Sequence, residues 1–166
     1  WVRSSAVMNS GTSKQITPLN MSYFASYLKK TYGSGMHVIL PESGLSSKYG
    51  STNQEDQQAC AVAYAYYLAE FNSNIDMYGY HREMDKSGET SGGWYMGLYH
   101  ADGKDTYTKP KKSADVFKYM DTKSYSSHVS SYMKKYLGTS WTSKIPGWNP
   151  SKFKYLVKTA ILCYHA

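Results

Sequence analysis

Long apolar runs are missing from this chain of 166 residues; none approaches the roughly 18 apolar residues of a membrane-spanning helix. Nor is there a basic start followed by an apolar centre, the mark of a secretory leader. Cysteine is scarce, with only Cys60 and Cys163, which excludes a disulfide scaffold. Both fall in helical apolar patterns and read as buried free thiols rather than as a pair. His37, His81, His100, His128 and His165 are dispersed, and no Cys/His pair shows ligand spacing, so no metal and no cofactor is expected. Phosphate loops, dinucleotide fingerprints and a Gly-x-Ser-x-Gly nucleophile elbow are also absent. Acidic residues are few, 12 against 19 Lys+Arg, for a formal charge of +7. The lysines are scattered and fall mostly on polar faces of predicted helices, as solvated charge does. At Tyr132-Met133-Lys134-Lys135-Tyr136 helical spacing turns the tyrosines inward and the lysines outward, so no nucleic-acid surface is expected there.

What the chain does have is a globular balance, 41% hydrophobic and 19% charged, and length for one core. A single domain over 1–166 is expected. The start at Trp1, without Met, leads us to expect a processed product or a piece of something longer. Residues 1–15 read as loop. Thr17 as N-cap and Pro18 at the first helical position predict a helix carrying Met21, Phe24, Ala25 and Leu28, ended by Gly33 and Gly35. Thr52 and Glu55 stand in capping-box spacing before a long helix over 54–71, apolar on most of its circumference. A strand is predicted over Ile75–His81, a loop over 86–93 and an extended run over Trp94–His100. Helices are predicted near Ser113–Met120 and Val129–Tyr136. A last one should follow Asn149-Pro150, with Phe153, Leu156, Val157, Ala160 and Ile161 on one face. Alternating helix and strand implies βαβ units and the α/β class.

The chain is organised around Met36-His37-Val38-Ile39-Leu40-Pro41-Glu42-Ser43-Gly44. Its apolar, β-branched start reads as a short buried strand, stopped by a proline that has no N–H to give. Glu42 follows at the carboxyl end, the edge where open α/β sheets place reactive groups. By itself the segment is better read as carrying a solvated loop carboxylate or a helix-cap acceptor.

Composition supplies a second lead, 18 tyrosines with 4 tryptophans amid abundant Ser, Asn, Gly and Thr. It resembles that of secreted bacterial proteins that handle polysaccharides, although such rings equally suit cores and interfaces. Taken in order, several stretches resemble the carboxyl-terminal part of a largely uncharacterised bacterial glycosidase-like (β/α)8 barrel family near the clan A glycoside hydrolases. They are Ile16 to Asn20, Ile39 to Ser47, Glu55 to Leu68, Ile75 to Asp85, then Gly97-Leu98, Asp102-Gly103, Lys109-Pro110 and Ile145 to Trp148. The departure lies at Pro41-Glu42-Ser43, where that family more often has a polar residue before the glutamate and Gln after it. Since a full barrel takes about 250 residues, the resemblance implies a partial (β/α)8 (TIM) barrel. Its βα units would span 16–138, with loop and terminal helix over 139–166.

By that resemblance Glu42 is the nucleophile of a retaining glycoside hydrolase acting on a polysaccharide or oligosaccharide. The acid/base would come from an earlier strand, so the piece alone would be inactive unless it met its missing amino-terminal half or a second copy. Secretion from a bacterium is implied as well. His81 could hold substrate hydroxyls or orient Glu42, and Arg82 suits a carboxylate such as Glu83 or Asp85. Asp85 could also face the site. Tyr80 and Trp94 are candidate sugar platforms, or packing aromatics at strand ends. Two rivals stand beside this reading: a non-catalytic carbohydrate- or cell-wall-binding module, and a basic domain holding an anionic polymer, which would lose affinity steeply with salt.

Overall fold

The computed structural model describes residues 17, 18 and 20–155, together with the backbone of 158–160. The expected loop over 1–15, Ile16, Leu156, Val157, Ile161, Cys163 and His165 lie outside the described residues.

A turn precedes the first helix, because Thr17 donates its backbone N–H to the Asn20 side chain (2.6 Å). The helix α1 (Met21–Tyr32) therefore starts later than Thr17 and Pro18 suggest, and it ends at Gly33 with φ +109°. Met21 and Ala25 are its buried positions. The strand β1 (Ile39–Ser43) follows, and the supposed loop after it holds a minimal hairpin, β2 (Lys48–Tyr49) with β3 (Thr52–Asn53).

The long helix α2 (Glu55–Glu70) is the hub. The side chain of Asn53, rather than that of Thr52, accepts the Glu55 N–H at 2.9 Å just ahead of the helix. Ala59, Val62, Ala63, Ala65, Tyr66, Tyr67 and Ala69 show no solvent-accessible surface, as a helix packed on several sides requires. Its neighbours are α4 (Lys112–Tyr119), α5 (Tyr125–Leu137), α1 and β4 (Met77–Tyr80). Much of the tyrosine content is spent here. Tyr67 donates to the Met120 carbonyl (2.7 Å) and meets Trp148 edge-on at 4.7 Å. Tyr66 donates to Glu70 (3.0 Å). Burial pushes both phenols well above their ordinary range.

The strands β1 and β4 run parallel, joined through α2 as a βαβ unit. The short helix α3 (Ser87–Ser91) lies inside the segment expected to be loop, and β5 (Tyr99–Ala101) pairs antiparallel with β6 (Tyr107–Pro110). The last element is β7 (Lys158–Ala160), parallel to β4, giving a three-stranded sheet in the order β1-β4-β7.

Three expectations are corrected by this architecture. A partial (β/α)8 barrel is not what the chain forms: the fold is mixed α/β, with one three-stranded sheet, two two-stranded ladders and no closed barrel among the described residues. The third extended segment turns back on itself as the β5–β6 hairpin instead of adding a parallel stave. Nor is β1 a buried strand; it is an edge, with Ile39 53% exposed and Pro41 on the surface. Finally, the last helix is absent at 153–155 and 158–160. Asn149 caps only a 3-10 turn, Pro150–Lys152, and the backbone N–H groups of Lys154 and Tyr155 then both donate to the buried Glu70 carboxylate. Those two donors, with Tyr155 at φ +55°, turn the chain toward the open side of β4.

Candidate functional site

Glu42 stands at the carboxyl edge of the parallel pair, on a bulge. Leu40 is opposite Tyr78, but Ser43 is opposite Tyr80, so β1 carries one extra residue at Pro41-Glu42. That residue count throws the Pro41 carbonyl against Gly79, where a β-carbon would collide with it. Glu42 itself is exposed, and its side chain makes no hydrogen bond or ion pair with another described residue.

The chain leaves β4 along the end of β1, His81 donating its backbone N–H to the Ser43 carbonyl at 3.0 Å. His81 and Arg82 are both buried, and both turn to a carboxylate that sequence reasoning did not select, Glu89 of α3. His81 Nε2 is 3.0 Å from Glu89 Oε1, and Arg82 Nη1 is 3.6 Å from Glu89 Oε2. Glu89 reads as one more polar residue in a Ser/Gly/Thr stretch, so no local signal marks it. Trp94 adjoins it, its backbone N–H donating to the Glu89 carbonyl (2.9 Å), its ring half-buried against Gly92. His81, Arg82, Glu89 and Trp94 thus share one corner at the end of β4, next to the strand that carries Glu42.

Two sequence-selected residues do other work. Tyr80 has no exposed surface. Its hydroxyl donates to the Met96 carbonyl (2.8 Å) and its ring packs near Phe117, so it is a core residue without a face for a sugar. Asp85 is locked in a buried pair with Lys111, whose Nζ donates to Asp85 (2.8 Å), to the Ser47 hydroxyl (2.9 Å) and to the Tyr95 carbonyl (3.2 Å). Those three acceptors use every ammonium hydrogen. Burial pulls the Lys111 ammonium below its ordinary range, and Asp85 opposes that shift. Gly97 donates to the same carboxylate (2.8 Å) and lies so close to Met84 and Asp85 that only glycine fits. Lys111, expected on a solvated face, is therefore structural. Gln58 completes the support, donating to the Leu45 carbonyl and accepting from Ser113, both at 2.8 Å.

Above this network opens a polar cleft of about 260 Å³, lined by Ser47, Lys48, Ser51, Asn53, Glu55, Tyr95 and His100. Glu55 and His100 pair across it at 2.9 Å, and the Lys48 ammonium sits over the Tyr95 ring at 4.8 Å. No group of His, Cys, Asp and Glu among the described residues is arranged to hold a metal ion. No helix among them is long and apolar enough to cross a membrane.

Neither a curated protein nor a solved structure matches the chain. A family model described as "Family of unknown function (DUF5722)" matches residues 1–145, and the chain belongs to that family.

Proposed function

We propose that the carboxyl edge of β1 and β4 is a carbohydrate site of glycoside hydrolase type, with Glu42 as its nucleophile. One observation carries the reading: an exposed carboxylate without a partner among the described residues stands on a bulge at the edge where βαβ units gather their ligands. A buried histidine and arginine follow from the neighbouring strand. In the reaction, a Glu42 oxygen bonds to the anomeric carbon as the glycosidic C–O bond breaks. The departing oxygen takes its proton from the acid/base carboxyl that the resemblance puts on an earlier strand, and the same group later takes a proton from the attacking water. Water then attacks the glycosyl ester, releasing the sugar with retained configuration and freeing Glu42.

A non-catalytic carbohydrate-binding role is the second reading, favoured by Glu89, which is already bonded to His81 and so is suited to holding hydroxyls. Glu42→Gln separates the two. Under the hydrolytic reading, with the acid/base partner present, wild type releases reducing ends from polysaccharide and the variant releases none while still binding it. Binding without release by wild type, when the acid/base partner is present, would leave binding alone.

A further inference from the structure

The corner between Arg82 and Glu89 holds buried polar atoms that no described residue satisfies. Arg82 is only 6% exposed, yet its Nε has no hydrogen-bond partner among the described residues. Glu89 Oε2 also has none; it lies 3.6 Å from Arg82 Nη1, beyond hydrogen-bond range, while Oε1 is held by His81 at 3.0 Å. Glu83, next in the chain, likewise keeps a buried carboxylate oxygen without a partner. Native structures pair nearly all such atoms, and a strong donor beside a strong acceptor is costly to leave unmade.

The geometry points to a clamp for the hydroxyls of an uncharged sugar, formed by Arg82 and Glu89. The inference rests on the carbohydrate reading of this edge and names the class of sugar. A hydroxyl both donates and accepts, so one hydroxyl or a vicinal pair satisfies the guanidinium N–H and the carboxylate oxygen together. A uronate would answer Arg82 but set its own charge against Glu89. An amino sugar would answer Glu89 but set its ammonium against Arg82. Either mismatch leaves a buried charge facing its like, which selects against both. His81 positions Glu89, and the half-buried Trp94 beside α3 offers an aromatic wall.

The test is equilibrium binding of the full chain to three sets of oligosaccharides: neutral hexose and pentose, uronic acid, and amino sugar. Reducing-end release is followed in parallel. Neutral sugars should bind at least tenfold tighter than the charged sets and with little salt dependence. Glu89→Gln, made at a half-exposed position and checked for native circular dichroism, should lose on the order of tenfold or more of that affinity. Arg82→Lys should do the same if it folds. Tighter binding of a charged set, undiminished affinity in folded Glu89→Gln, or no binding by any set overturns the clamp. Neutral binding lost in Glu89→Gln supports the clamp whether or not reducing ends are released, so the clamp and the hydrolytic reading fail separately.

Discussion

The Pro41 carbonyl lies directly against the backbone of Gly79, leaving no room for a β-carbon on that glycine. The contact couples two strands: the bulge that lifts Glu42 from the sheet exists because β4 has no side chain beneath it. Gly79→Ala must push the bulge away. It should destabilise the chain by about 1–3 kcal/mol, as overpacking does. Denaturant unfolding measures the loss. Ligand binding at the Glu42 edge should weaken with it, while Gly103→Ala, at a glycine with open space around it, should change neither.

The Asp85–Lys111 pair predicts strong coupling. Lys111→Met strands a buried carboxylate and should cost about 3–5 kcal/mol. Asp85→Asn with Lys111→Met leaves no buried charge, so the double variant should lose less than the two single losses summed. Urea unfolding of the four proteins gives the coupling energy.

Asp56 ties three helices, bonding Lys112 of α4 at 2.5 Å and Lys135 of α5 at 2.6 Å from the first turn of α2. Those two hydrogen bonds hold its carboxyl below the usual 3.8. A depressed carboxylate adds stability that is complete above the unfolded value and fades as pH falls through the folded one. The pair is near the surface, so the effect is small. Asp56→Asn should lower the melting midpoint by about 1–2 °C at neutral pH. The difference should shrink as pH falls below the unfolded value, and shrink in high salt.

Cys60 is buried, with its sulfur 3.8 Å from Met133 Sδ, and burial pushes its thiol up to about 12. In a Cys163→Ser background the folded chain should resist a thiol reagent at about pH 8, where an ordinary cysteine reacts. Full reactivity should appear once denaturant unfolds it.

Where periodicity carried the signal, the sequence was readable. The apolar stripe of α1, the encircled α2, and α4 and α5 with its stop at Gly138 follow from residue spacing, as does the parallel βαβ unit. What spacing does not encode is which long-range partner wins. A five-residue helix such as α3 has no local stability. It is held where Glu89 meets His81 and Arg82, pairings that no window of neighbours displays. Lys111 looks like its neighbours Lys109 and Lys112 until Ser47, Tyr95 and Asp85 close over it. The end of the chain carries helical spacing, yet Glu70, 84 residues before Lys154, takes the backbone donors that a helix would have used. Of the six site residues expected, the fold brings Glu42, His81, Arg82 and Trp94 to one edge. It spends Tyr80 and Asp85 on the core beneath it.

Covalent capture tests the assignment of Glu42 most directly. A glycosyl fluoride with fluorine at C2 reacts through its good leaving group but releases its ester slowly, so the intermediate accumulates. Incubation with a series of such neutral sugars, followed by peptide mass analysis, should show one fluoroglycosyl unit on the peptide containing Glu42 and none in Glu42→Gln. A label on another residue, or none from any of them, would contradict Glu42 as the nucleophile.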